Sequence, residues 1–263
     1  NIDTLLRNNQ EIFIMSENSS LHEGSNCFLR KGVTNDTKSF LRSIASIKGI
    51  RYNQLIDLIV NNITPQLFVT LNSGNLIVRF RDVNTLPDNQ KKFNYFTEFI
   101  KRHSIFCKQY DIEPDRNIIT ISDFRNNKII SDKKRRAYQR LYIIVSSLRN
   151  FLDYCRDASI LYKRYTMFLD LFSRKLDWLF PKGANILIFY KDTGNMYCNP
   201  FIKHLNKPVI MLLMDNSKKF EPIFHVILRH KIKSRGIFEL NHDIDLSYKQ
   251  ALGMKEKTSI IEL

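Results

Sequence analysis

The stretch Asn35–Ile47, with the sequence NDTKSFLRSIASI, decides how the rest of the chain is interpreted. It predicts a helix that begins at Ser39 and ends near Gly49. The apolar positions of this helix recur at helical spacing: Phe40, Leu41, Ile44 and Ile47. A helix N-terminus favours negative charge, so a cysteine in the first turn would be activated as a thiolate, whereas a serine needs a neighbouring base. The type of residue at position 39 therefore distinguishes between two classes of function, a hydrolase and a binding or structural protein.

Helical spacing continues beyond this stretch. A second helix is predicted from Tyr52 to about Ile63, and Pro65 is expected to end it because the residue before a proline avoids the helical region. Asn89–Tyr110 is also predicted as helical, whereas Leu76–Phe80 fits either a strand or a helix. The middle of the chain is therefore expected to be mainly helical.

A long helical zone is predicted from Ser131 or Asp132, either of which can cap a helix, to Phe180. It carries two apolar stripes, which indicate two packed helices with a bend near Asp157–Ser159 rather than one rod. Both stripes are interpreted as core.

After Gly183 the pattern changes to short apolar runs that are typical of buried strands. They are predicted at Asn185–Tyr190, Pro208–Met214 and Phe220–Leu228. Helices followed by strands indicate an α+β fold, rich in helix, with a small C-terminal sheet. The predicted organisation is a lead-in segment (1–26), a domain (27–240) with a helical part (37–180) and a strand-rich part (184–228), and a tail or contact segment (241–263).

The net charge of +15 and the isoelectric point near 9.7 favour an acidic or polyanionic partner. Two clusters carry much of the candidate anion-binding charge: Lys133, Lys134, Arg135, Arg136 and Arg140, and then Arg229, Lys231, Lys233 and Arg235. Because no RNP, KH or zinc-knuckle pattern occurs, binding of nucleic acid would be directed at phosphates and independent of sequence. The alternative interpretation is a solvated basic face.

The four cysteines, Cys27, Cys107, Cys155 and Cys198, are far apart and form no CxxC pair. We therefore expect reduced thiols, no metal and no cofactor. The longest apolar run, Val209–Met214, is too short to cross a bilayer, so no membrane contact is expected.

Asp36–Ile44 resembles the Asp-Gly-x-Cys-Leu-Phe-x-x-Ile helix start of the ovarian tumour (OTU) deubiquitinases, which have a papain-like fold. In that family an apolar strand is followed by His-Tyr-Asp or His-Tyr-Glu, and here Pro208–Met214 is followed by Lys219-Phe220-Glu221. The resemblance implies that Ser39 and Lys219 occupy the nucleophile and histidine positions. Both catalytic residues are then replaced, and the chain is expected not to be an enzyme.

Three further phrases resemble OTU-like regions of long minor capsid, or skeleton, proteins of nucleocytoplasmic large DNA viruses, such as African swine fever virus. They are Cys27–Val33, Asn185–Phe189 and Lys219–Ile223. This resemblance implies a virion scaffold that docks on capsid proteins and on the viral RNA polymerase as a transcription-associated or packaging factor. The implied location is the viral factory in the host cytoplasm and the virion.

Other interpretations remain open at this point. Ser39 could act with a neutral Lys219, or Cys27 with His225, in an active OTU-like deubiquitinase or other hydrolase. Ser39 could instead simply cap its helix. A phosphate-directed nucleic-acid-binding module is the third possibility.

Overall fold

The computed structural model describes residues 26–34, 36–113, 131–157, 159, 164–193, 195–198, 207–227 and 233–238. The chain divides into two compact units. One, the sheet unit, comprises Asn1–Leu58 and Leu161–Leu263, and the other, the helical unit, comprises Ile59–Ile160. The predicted lead-in lies outside the described residues except for Asn26, which belongs to a strand. The predicted tail, residues 241–263, also lies outside them.

The sheet unit is built on a mixed sheet with the strand order β1-β5-β4-β2-β3, in which β6 also pairs with β5 and β7 with β4. Its strands are β1 (Asn26–Arg30), β2 (Asn185–Tyr190), β3 (Met196–Cys198), β4 (Val209–Met214), β5 (Phe220–Ile227), β6 (Lys233–Arg235) and β7 (Ile237–Phe238). Among these pairings only β2 with β4 is parallel. The strand predictions are confirmed, and so is the α+β class.

The centre of the sheet is buried on both faces, which explains its sequence pattern. From Asn185 to Phe189 and from Val209 to Leu212 every side chain is buried. Strands that are covered on both faces have continuous apolar sequences, whereas strands with one exposed face alternate apolar and polar residues. Helix α1 (Ser39–Lys48) packs on β5, and the short helix α8 (Leu169–Ser173) packs on β2.

Aromatic side chains join α1 to this core. The Phe40 ring lies 5.2 Å from the ring of Phe220, 5.6 Å from that of Tyr165 and 5.9 Å from that of Phe172, measured between centroids. Aromatic pairs at such distances stabilise a core beyond the area that they bury. The predicted α1 is confirmed, and it ends where Gly49 takes a left-handed conformation with φ of 71°.

Helix α2 (Tyr52–Asn62) confirms the second predicted helix. Pro65 has a different role from the expected one, because it is the first residue of the next helix, α3 (Pro65–Thr70). Proline suits that position since its missing N–H would have no partner there. The Thr64 hydroxyl caps α3 by accepting a hydrogen bond of 3.2 Å from the Leu67 amide.

The helical unit continues through a 3₁₀ turn and four helices in its described part. These are Leu71–Gly74 (3₁₀), α4 (Asn75–Phe80), α5 (Gln90–Arg102), α6 (Ser104–Lys108) and α7 (Asp132–Arg156). Ser131 caps α7 as predicted, by accepting from the Lys134 amide. The helical prediction for Asn89–Tyr110 is confirmed with a break at His103.

Helix α7 provides the packing surface of this unit. The Phe151 ring lies 5.7 Å from Phe68 and 5.3 Å from Phe80, and Tyr142 lies 5.4 Å from Phe96. These contacts connect α7 to α3, α4 and α5. The first predicted apolar stripe is therefore core, as expected.

The second predicted stripe does not form a long helix, so that prediction is wrong. In its place the structure has a 3₁₀ turn, Tyr165–Met167, and the five-residue helix α8. Every residue from Met167 to Ser173 is buried, so this segment lacks the polar face of an amphipathic helix. The chain then turns extended at Arg174, with φ −79° and ψ 151°, and Leu176 bridges to Phe180.

A substitution at Gly183 tests the close packing of this turn against Ser173. Its φ is +70°, and a Cβ there would lie 2.5 Å from the backbone oxygen of Ser173. We expect Gly183→Ala to lower the free energy of unfolding by about 3 kcal/mol, because both the left-handed backbone and the overlap are unfavourable. Denaturant unfolding measures the change. Gly32→Ala is the matched control, since a Cβ at Gly32 meets nothing within 4 Å. Equal effects of the two substitutions would contradict the packing described for Gly183.

Candidate functional site

Ser39 and Ser43 hold both backbone groups of one residue, Phe220, at the start of β5. The Ser39 hydroxyl oxygen accepts a hydrogen bond of 2.9 Å from the Phe220 amide. The Ser43 hydroxyl donates one of 3.1 Å to the Phe220 carbonyl oxygen. Because residues four apart lie on one face of a helix, the two hydroxyls reach the same peptide segment. We call Ser39, Ser43 and the Phe220 backbone the serine clamp.

The serine clamp is enclosed by the core. Ser39 is 1% exposed and Ser43 is 0% exposed. A buried backbone amide or carbonyl without a partner destabilises a fold, so these hydroxyls satisfy groups that would otherwise be costly. Ser39 is the first residue of α1 and does not cap it, because Lys38 is the N-cap residue and provides no side-chain hydrogen bond. The interpretation of Ser39 as a helix cap is therefore wrong.

The turn before β5 places Lys219 next to the serine clamp. Its backbone amide donates a hydrogen bond of 2.9 Å to the Asp215 carboxylate, and its carbonyl oxygen accepts from the Asp215 amide at 3.0 Å. Burial works against ionisation of Asp215, but the hydrogen bonds from the Lys219 backbone and from Ser217, together with the Lys219 charge, hold the pKa of that carboxyl below its ordinary value. Lys219 itself is half-buried. Sequence reasoning paired positions 39 and 219, and the structure brings Ser39 to the residue that follows Lys219.

The beginning of α1 is fixed by an ion pair that sequence reasoning missed. Asp36 accepts from the Lys38 amide at 2.9 Å and from two nitrogens of Arg42 at 2.9 and 2.8 Å. Burial opposes the charge on Asp36, but these hydrogen bonds and the Arg42 charge lower its pKa. The Arg42 guanidinium also lies 5.0 Å from the centre of the Tyr52 ring. Ser39 is therefore positioned from both sides of the helix start.

The alternative pairing of Cys27 with His225 does not match the register of β1 and β5. His225 is opposite Phe28, and Cys27 is opposite Val226. Successive positions of a strand lie on opposite faces of a sheet, so positions 27 and 225 do not share a face. His225 is 7% exposed, and burial together with the Arg235 charge lowers its pKa.

Burial makes the Cys107 thiol a poor nucleophile, because it raises the pKa of that thiol to about 11. Cys107 and Cys155 are both buried, and neither belongs to a disulfide. Across the described ranges, no group of three or more His, Cys, Asp and Glu side chains could hold a metal ion. No helix in the same residues is long and apolar enough to cross a membrane.

The first basic cluster separates into two parts on α7. Lys133, Arg136 and Arg140 line an open cavity of about 710 Å³, together with Thr85, Asp132, Gln139 and Ile143. All three cations are exposed. Lys134 and Arg135 are half-buried and do not line this cavity. We call the cavity with Lys133, Arg136 and Arg140 the cationic groove.

The second basic cluster lies largely outside the described residues. Arg229 and Lys231 fall there, and Lys233 is described only as a backbone position of β6 paired with Ile227. Arg235 is exposed and lies opposite His225 in the register. The two predicted clusters are therefore not shown to form one surface.

Three serines of α1 allow a matched test of the serine clamp. We expect Ser39→Ala and Ser43→Ala each to lower the free energy of unfolding by about 1–3 kcal/mol, because each leaves a buried backbone group of Phe220 without its partner. Ser46→Ala is the control on the same helix. Its hydroxyl oxygen is buried and has no hydrogen-bond partner in the described part of the chain, so we expect a neutral or stabilising change.

The loss of unfolding free energy in the double variant, Ser39→Ala with Ser43→Ala, should also differ from the sum of the two single losses, because both serines contact the same residue. Chemical denaturation of the four variants measures these values. If Ser39→Ala were as harmless as Ser46→Ala, the role assigned to the Ser39 hydroxyl would be wrong.

Comparison with known proteins gives no match: no family model, no curated protein and no solved structure is similar to this chain. A function must therefore be argued from its own geometry. Two features are available for that argument, the serine clamp in the sheet unit and the cationic groove in the helical unit.

Proposed function

We propose that the chain is a non-catalytic, OTU-like docking domain of a virion protein from a nucleocytoplasmic large DNA virus. In this proposal it is a minor capsid or scaffold component that binds other viral proteins, among them capsid proteins and the viral RNA polymerase. Its location is then the viral factory in the host cytoplasm and the virion. The observation that carries the non-catalytic part is the burial of Ser39 within the serine clamp.

The arrangement of α1 and β5 supports the OTU-like part of the proposal. A papain-like hydrolase needs the first turn of a helix to meet the strand or turn that carries its base. Here the first residue of α1, Ser39, lies 2.9 Å from the amide of Phe220, one residue after Lys219. The two positions that the resemblance assigns to nucleophile and histidine are thus close in space, although 181 residues separate Ser39 from Phe220 along the chain.

The state of the Ser39 hydroxyl argues against catalysis. A serine nucleophile must be open to its substrate and must give its proton to a base. Ser39 is 1% exposed, and its oxygen accepts a hydrogen bond from a backbone amide. Attack on a substrate would require breaking this hydrogen bond and opening the packing of α1 on β5. The site is therefore used for stability.

The partner part of the proposal rests on charge and on the resemblance given above. A net charge of +15 favours acidic surfaces and polyanions as partners. Electrostatic complementarity mainly increases the rate and specificity of association. A basic docking domain that has lost catalysis is consistent with a scaffold that must collect several components during assembly.

The catalytic question can be tested with the purified chain. We expect no hydrolysis of a fluorogenic ubiquitin substrate and no labelling by a fluorophosphonate, because the Ser39 hydroxyl is enclosed. Hydrolysis that disappears in Ser39→Ala would overturn the proposal in favour of a serine hydrolase. Hydrolysis that survives Ser39→Ala but disappears in Cys27→Ala would overturn it in favour of a thiol enzyme.

The enclosure of position 39 can be measured directly by thiol labelling. We expect a cysteine in Ser39→Cys to react with iodoacetamide at least tenfold more slowly than one in Thr37→Cys, which is exposed and only two residues away. Trypsin cuts after Lys38, so mass spectrometry separates the two sites. Equal rates would show that position 39 is open.

The docking part is tested with the tagged full-length protein in infected cells. Capsid proteins and RNA polymerase subunits should be enriched with it at a salt concentration that preserves ionic contacts. Purified polymerase that does not form a complex with the chain in size-exclusion chromatography would exclude a direct polymerase contact.

A further inference from the structure

We propose that the cationic groove on α7 binds the phosphate backbone of a nucleic acid, and that this binding does not depend on base sequence. The proposal concerns the helical unit only, and it does not depend on the OTU resemblance or on the serine clamp. The groove is the open cavity of about 710 Å³ to which Lys133, Arg136 and Arg140 contribute.

First, these cations have no carboxylate partner among the residues that the structure describes. In the part of the chain that the structure describes, none of Lys133, Arg136 and Arg140 forms an ion pair, although Asp132 lines the same cavity.

Other cations of the helical unit are paired. Lys92 contacts Asp82 at 2.7 Å and Asp88 at 3.0 Å, and Arg102 contacts Glu98 at 2.8 Å. Among the described residues, no ion pair neutralises the three cations of the groove, so their charge is available to an external anion.

Second, the three cations are arranged in a line along α7. Positions 133, 136 and 140 recur at intervals of three and four residues, so they form one stripe along α7. With a rise of 1.5 Å per residue, this stripe is about 10 Å long. Phosphates along one strand of a duplex are spaced by about 3.4 Å along the axis, so the stripe spans about three such intervals. A linear polyanion fits this arrangement better than a single small anion.

Third, two of the remaining lining residues have side chains that suit phosphate oxygens. Gln139 and Thr85 add uncharged hydrogen-bonding groups, which commonly contact phosphates in protein–DNA interfaces. Arginine offers a planar fork that matches phosphate oxygens. Docking of an acidic protein would instead be expected to use aromatic or apolar anchors, and Ile143 is the one apolar residue among the described residues that line this cavity. The described lining residues include no aromatic ring on which a base could stack, which favours backbone contacts alone.

The experiment compares two variants with the same change in net charge. The groove variant carries Lys133→Gln, Arg136→Gln and Arg140→Gln. The control carries Lys101→Gln, Arg79→Gln and Arg81→Gln, which are also exposed residues of the helical unit and do not line the groove. Thermal unfolding confirms that both variants remain folded. Fluorescence anisotropy then measures binding of a labelled DNA duplex and a labelled RNA strand between about 50 and 200 mM salt.

We expect the groove variant to lose at least tenfold in affinity for the duplex. Its plot of log K against log salt should be shallower by about 2–3, since each lost phosphate contact removes about 0.9 from the slope. The control should keep the slope of the unaltered chain to within about 1.

Three results would overturn the proposal. The unaltered chain could fail to bind either nucleic acid at the lowest salt. Both variants could lose affinity equally, which would indicate that binding depends on the net charge of the chain and not on the groove. Polyglutamate of matched charge could bind as tightly as the duplex and depend equally on the groove, which would identify an acidic protein segment as the partner.

Discussion

The hydrogen bonds of the serine clamp are the constraint on which the sheet unit depends. They join the first turn of α1 to the first residue of β5, two elements separated by most of the chain. The Phe40 and Phe220 rings pack beside them at 5.2 Å, so polar and apolar contacts fix the same junction. In a low-dielectric core such hydrogen bonds are directional, and they specify one docking of the helix on the sheet. The other contacts of α1 with the sheet follow from this position.

The same two hydroxyls explain why this junction is structural. In a hydrolase the group at the start of the helix must be open to the substrate and hydrogen-bonded to a base. Here the Ser39 oxygen already accepts from an amide, and Ser43 completes the pair on the carbonyl. Both hydroxyls are buried and are engaged with the backbone of Phe220, so they contribute to the packing of α1 on β5. Stability and activity commonly compete at such positions.

Much of the fold could be predicted because local signals and burial agree. Helix α1 has an apolar stripe and a left-handed glycine at its end, and β2 and β4 are apolar runs between turns. The region after Tyr165 was mispredicted because burial on all sides produces apolar residues at helical spacing without a helix. The role of Ser43 could not be predicted, since its partner is 177 residues away. The cationic groove could have been found from the spacing of 133, 136 and 140 on α7, whereas sequence proximity alone grouped all five cations.

The strand pairing of β1 with β5 has a consequence for how the protein is made. Asn26–Arg30 is synthesised before the helical unit, whereas its partner Ile223–Ile227 is synthesised only after the whole helical unit. The helical unit is continuous in sequence and depends on local helix packing, so it can fold during translation. The sheet unit must wait, with an unpaired strand that is open to association with other chains. We therefore expect chaperone dependence and aggregation during synthesis to arise from the sheet unit.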